Sequence, residues 1–173
     1  MKPIFQALAK YNRNVNEELT RILSELPKDQ LMMETKSFYH NIYETLVHIL
    51  ASDRAWLSRF ETAFPACGCF KKNEITGLDE ASIRKKIGED YSTVFVIRKK
   101  ADELLERFVN EIGEKAYTGS FKYRNYKGEE SERLVWQALI QMFNHQTHHR
   151  GSISDMLDAM GIKNDYSTLL TRM

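Results

Sequence analysis

Cysteine, proline and glycine are scarce in this chain of 173 residues, and each shortage excludes something. Two cysteines, Cys67 and Cys69, leave no disulfide framework and no four-cysteine zinc module. Three prolines and eight glycines are too few for a collagenous or low-complexity chain. An excess of one charge is also lacking. The 25 basic and 24 acidic residues leave a net charge of +1, so there is no electrostatic case for nucleic acid or a membrane surface. No apolar run approaches the ~20 residues of a membrane span. The opening Met1-Lys2-Pro3-Ile4-Phe5-Gln6 leads into polar amphipathic sequence rather than a secretory signal, which makes the cytoplasm the default location.

What is present suits one packed, helix-rich domain over residues 1–173, with 42% hydrophobic residues and enough length to bury a full core. Ile4, Leu8, Tyr11, Val15, Leu19, Ile22 and Leu26 recur at three- and four-residue steps and predict a first helix from Lys2 to Glu25, broken by Pro27. A connector from Lys28 to Phe38 has room for one turn near Asp29-Gln30-Leu31-Met32. A second helix follows from Asn41 to Phe64, capped by Ser37 or Asn41. Pro65, Gly68 and Gly77 mark a loop holding Cys67-Gly68-Cys69, read as two reduced thiols without a second cysteine pair. Asp79 caps a third helix running to Ile112, with Gly88 a weak point and Gly113 its stop. Its basic clusters, Arg84-Lys85-Lys86 and Arg98-Lys99-Lys100, are matched by Glu89, Asp90, Asp102 and Glu103 and read as solvated faces.

The period changes in Phe121-Lys122-Tyr123-Arg124. With the turn signal Lys127-Gly128 this predicts a hairpin covering the bundle, preferred over a base-stacking surface. A fourth helix is expected from Ser131 to Met160, closed by Gly161, and then a tail with one turn through Tyr166, Leu169 and Leu170. Four long periodic helices indicate an all-α four-helix bundle, a fold that builds metal sites from side chains on facing helices.

The chemistry concentrates in Asn144-His145-Gln146-Thr147-His148-His149-Arg150-Gly151, which holds three of the five histidines. Residues four apart on a helix share a face, so His145 and His149 can reach one divalent ion. On the helical wheel, Val135, Ala138, Leu139, Met142, Ile153, Met156, Leu157 and Met160 define the buried side. His149 falls inside that arc, His145 on its shoulder, and His148 nearly opposite, toward water. Gln146 stands where His-Glu-x-x-His proteases carry their general base, which argues against that mechanism. In the second helix Asp53 lies in the apolar arc and needs a partner, Arg54 or Arg150. His48 lies off that arc among Asn41, Thr45, Ser52 and Ala55, and the wheel does not decide between a cleft and solvent.

Phe143-Asn144-His145-Gln146-Thr147-His148-His149-Arg150-Gly151 resembles the signature of the DinB family. Thr45-Leu46-Val47-His48-Ile49-Leu50 followed by Asp53-Arg54-Ala55-Trp56-Leu57 resembles that family's second-helix motif. The likeness spans nearly the whole chain and departs mildly at Ser152, where relatives often have Gln. It implies an up-down-down-up four-helix bundle, commonly a homodimer, with a strand-like insert before the last helix. It also implies a three-histidine metal site, matching His48, His145 and His149 by motif position. Zinc or nickel is the first expectation for the ion and iron a further one. By analogy with the wider superfamily, the resemblance implies a metal-dependent enzyme, a transferase acting with a low-molecular-weight thiol or a small-molecule hydrolase. The alternatives are a metal-binding stress-response protein without turnover, or a structural bundle whose histidines only pack. No catalytic residue is assigned beyond the ligands; Asp53 is the nearest carboxylate by sequence, with a structural role preferred.

Overall fold

The computed structural model describes residues 1–173. Its long helices are α1 (Lys2–Ser24), α3 (Ile42–Ala63), α5 (Thr93–Glu111) and α6 (Val135–Ala159), with shorter α2 (Lys28–Leu31) and α4 (Glu80–Glu89). Side-chain contacts fix the directions. Lys2 reaches the carbonyls of Asn110 and Ile112 while Asn16 meets Asp102, so α1 and α5 are antiparallel. Asp53 meets Arg98 and Phe60 stacks on Phe108, so α3 and α5 are parallel. With α6 antiparallel to α3, the order is up-down-down-up. Only a small hairpin of β1 (Ser120–Arg124) and β2 (Glu130–Leu134) interrupts the helices.

Local chemistry explains most of the boundaries. Asn41 has extended backbone and its side-chain oxygen accepts from Glu44 N–H at 2.8 Å, a cap that contributes about 1 kcal/mol to α3. Asp79 caps α4 in the same way through Ser82 N–H. At the end of α6, Gly161 has φ +73°. Its N–H donates to Asp158 and that of Ile162 to Leu157, so the left-handed residue satisfies the last carbonyls.

Three boundaries differ from the sequence reading. The third helix is two, because Asp90 turns its carboxylate onto the N–H and hydroxyl of Ser92, and this local bonding displaces the helix at Asp90–Ser92. The weak point is therefore Asp90 rather than Gly88. Gly113 follows α5 with φ −69° and plays no left-handed role. The last helix starts at Val135 instead of Ser131, because Ser131 to Leu134 pair with β1 in the register Ser120↔Leu134 to Arg124↔Glu130. The tail makes one hydrogen-bonded turn, Arg172 N–H to Leu169, and adds no helix.

The hairpin turns at Asn125, whose side chain accepts from Lys127 and Glu129 N–H, and Gly128 takes φ +81°. The inward residues do the packing. Phe121 sits 5.4 Å from the Phe60 ring and Tyr123 5.3 Å from Trp56, with the Arg59 guanidinium over both Trp56 and Tyr123. These aromatic residues cover the bundle, as the alternation in β1 predicts. One contiguous core cluster runs through all four long helices, and the aromatic group Phe60, Phe64, Phe70 and Phe108 fills the end of α3 farthest from His48. No helix is long and apolar enough to cross a membrane.

Candidate metal centre

α3 and α6 face each other where His48 meets His145 and His149. His48 Nε2 lies 2.9 Å from His145 Nε2, and His149 Nε2 lies 3.1 Å from the same atom. All three ligand atoms fall within 4.8 Å of one another. The wheel's separation of α6 holds: His149 is buried, His145 half-buried and His148 exposed, its ring edge-on to His149. His40 lies apart on a turn with φ +64°. The structure thus brings together the three histidines that the motif likeness matched, and leaves His148 and His40 outside.

The electrostatics favour uncharged imidazoles. Burial lowers the pKa of all three, and neighbouring imidazoles add to this; His149 is pushed down to about 4. Neutral rings with free lone pairs are what a cation needs, because metal and proton compete for the same nitrogen. A tetrahedral ion with bonds of about 2.05 Å separates its nitrogens by about 3.3 Å. The observed 2.9 and 3.1 Å need only a few tenths of an ångström of opening. The residues therefore fit a small divalent ion. One detail is less complete: His145 Nδ1 is buried without a partner, whereas ligating histidines ordinarily donate their other ring N–H.

Two neighbours were not legible in the sequence. Tyr39, from the connector before α3, stacks on the His48 ring at 4.2 Å and stands edge-on to His149 at 5.3 Å. Desolvation raises its pKa, with a smaller contribution from Glu80. Glu80, at the start of α4, is also the carboxylate whose charge is felt at His48, and Arg84 holds it at 2.9 Å. Neither residue carries a periodic or motif signal.

The same turn of α6 builds a second polar region on its other side. Gln146 and Arg150 enter a buried network with Asn12 and Asn16 of α1, Asp53 of α3, and Arg98 and Asp102 of α5. Arg98 grips Asp102 with two nitrogens at 3.0 and 2.8 Å and reaches Asp53 at 2.5 Å. Arg150 donates to Asn12 at 2.6 Å and Asn16 at 3.2 Å, and Asn16 donates to Asp102 and Gln146. Two expectations are corrected here. The hydrogen-bonded partner of Asp53 is Arg98, with Arg150 acting only through its charge and Arg54 making no such bond. Arg98 and Asp102 are buried, and only Lys99 and Lys100 of that basic run are solvated. Burial raises Asp102 to about 6, still below neutral, and Arg98 is held charged by the two carboxylates. Asp53 is thus a structural ion-pair residue.

Cys67 and Cys69 are both free, and burial pushes both thiols up.

No solved structure matches the chain. Protein DinB of Bacillus subtilis (strain 168) is 27% identical over 157 residues, covering 89% of this chain and 84% of that protein. The family that matches is described as the DinB family, over residues 1–171. With its bundle, its hairpin and its histidine cluster in place, this chain belongs to the DinB family.

Proposed function

We propose that this protein is a metal-dependent enzyme whose divalent ion is held by His48, His145 and His149. The observation that carries the reading is the convergence of three Nε2 atoms, contributed by two helices, at a half-buried position with neutral imidazoles. Zinc and nickel both suit imidazole ligands, and iron is a further candidate. Three protein ligands leave a coordination position for water or substrate. When bound, the ion supplies Lewis acidity and lowers the pKa of a water or thiol beside it.

The chain's own residues define the rest of the reaction. The Tyr39 ring, stacked on the His48 ring at 4.2 Å, shields that flank from water. The reaction class we assign is transfer of a low-molecular-weight thiol to an electrophilic small molecule. An S–C bond forms, the electrophile's leaving group departs, and the thiol proton needs an acceptor. Glu80 is the carboxylate we assign to that role, fixed by Arg84. Hydrolysis of a small molecule would use the same centre with water as nucleophile. We also propose that the protein works as a homodimer in the cytoplasm.

Elemental analysis of protein purified without a histidine tag, beside His149→Ala, tests the centre. About one zinc, nickel or iron per chain, lost in the variant, is the expected result. No metal in either protein, and none taken up on dialysis against zinc or nickel, would sink the metal reading. A thiol-substrate screen on the loaded protein then separates enzyme from binder.

A further inference from the structure

The far end of α3 holds a second convergence of ligand atoms. Cys67 Sγ lies 3.2 Å from Cys69 Sγ and 3.3 Å from Glu111 Oε2, and the same carboxylate oxygen accepts from Cys69 N–H at 2.7 Å. The two sulfurs and the carboxylate oxygen lie within 4.8 Å of one another. The cysteines come from the loop after α3, where residues 68–70 form one 3-10 turn, and Glu111 is the last residue of α5. The loop residue between the thiols, Gly68, leaves room for this approach. A Cβ at Gly68 would stand 3.3 Å from Glu111 Oε2, so a larger residue would crowd the carboxylate away from the sulfurs. Cys69 is fully buried, Cys67 half-buried and Glu111 exposed, so the cluster has a closed side and an open one. The open side meets a cavity of about 520 Å³ bordered by Pro65, Cys67, Gly68 and Glu111.

We propose that Cys67, Cys69 and Glu111 form a second metal site, for a thiophilic divalent cation of the zinc and cadmium class. It is independent of the three-histidine cluster. Phe64, where α3 ends, is 16 residues beyond His48, on the order of 24 Å along the helix. Two sulfurs at about 2.3 Å and one carboxylate oxygen at about 2.0–2.2 Å match the ligand chemistry of such an ion. A tetrahedral arrangement places the sulfurs about 3.8 Å apart. The pair must open by roughly half an ångström from 3.2 Å, and Cys67, on the open side, has room to do so. Binding exchanges two thiol protons for one cation and leaves the fourth position to water from the cavity. Its structural consequence is a clasp between the loop after α3 and the end of α5.

Cobalt(II) titration of the reduced full-length protein, without oxygen, tests the site through the thiolate-to-cobalt charge-transfer band, which only sulfur ligation produces. The proteins are the wild type, Cys67→Ser, Cys67→Ser/Cys69→Ser, Glu111→Gln and His149→Ala. The expected result is a band in the wild type and in His149→Ala, saturating near one equivalent in the latter. It should be absent in the double serine variant and weakened in Cys67→Ser. Glu111→Gln should keep the band with affinity lower by about tenfold or more, as loss of a ligand exceeds loss of a supporting partner. The single variant at half-buried Cys67 keeps the test decisive if serine at position 69 prevents folding. No band in the wild type with both thiols titrating as reduced overturns the proposal. So does a band that vanishes in His149→Ala, or Glu111→Gln binding as tightly as the wild type. Thiols that close to a disulfide and give no band after re-reduction also overturn it.

Discussion

One turn of α6 faces two polar regions, and their difference separates structure from chemistry. On one side, Gln146 and Arg150 join a network in which two carboxylates meet two guanidiniums and two asparagines, all of them buried. Charges balance there, and few polar atoms are left over; Asp53 Oδ1 and Gln146 Nε2 are the exceptions. On the other side, the Nε2 atoms of His145 and His149 converge with that of His48, and no salt bridge ties the cluster down. A closed network of this kind locks four helices in register. The histidine side instead gathers three imidazole nitrogens within 4.8 Å of one another.

The comparison can be broken most severely at Arg98. Arg98→Ala leaves Asp53 and Asp102 buried without their guanidinium, and we expect a loss of roughly 3–5 kcal/mol, a fall in Tm on the order of 10 °C. Thermal unfolding of the metal-free variant checks this; a change below ~1 kcal/mol would show the network to be dispensable.

Acid probes the histidine side with a smaller effect. His149 has a folded pKa of about 4, below the ordinary 6.5, so the unfolded chain takes up its proton first. The stability of the metal-free wild type relative to His149→Ala should be complete above about pH 6.5 and decline as the pH falls toward about 4. Asp102, raised to about 6, titrates in this range with the opposite sign, but it does so in both proteins and cancels in the difference. Chemical denaturation across that range reads the outcome, and a flat difference contradicts the assignment.

The smallest effect belongs to His148. Exposed on the rim, His148→Ala should change stability by no more than ~0.5 kcal/mol and leave metal content as in the wild type. Metal lost from this variant would move the centre off His149 and blur the contrast between the two regions.

Much of this was legible in the chain, for identifiable reasons. The apolar stripe of α1 and the Asn41 cap are local signals, and the structure follows them closely. The i, i+4 spacing of His145 and His149 is a local signal as well, and the wheel turned His148 outward correctly. His48 was different. Its place opposite α6 depends on how two helices cross, which periodicity does not encode, and only the motif likeness pointed to it. Arg98 was hidden in a basic run whose neighbours Lys99 and Lys100 do face water, and its partner Asp53 lies 45 residues away. The break at Asp90 escaped because a side chain bonding its own backbone outcompeted an otherwise continuous helical pattern. Tyr39 left no trace in the pattern, being a loop residue placed by a turn.

Because the two regions share one helix, α6 behaves as a keyed shaft. Side-chain tips sit about 5–6 Å from a helix axis, so a 10° turn carries them by about 1 Å. Such a turn would displace His145 and His149 by several times the ~0.2 Å that a metal–ligand bond tolerates. The same turn would drag Arg150 from Asn12, now at 2.6 Å, past hydrogen-bonding range. The torsional stiffness of the histidine pair is therefore set on the opposite side of the helix, by residues that never touch the centre.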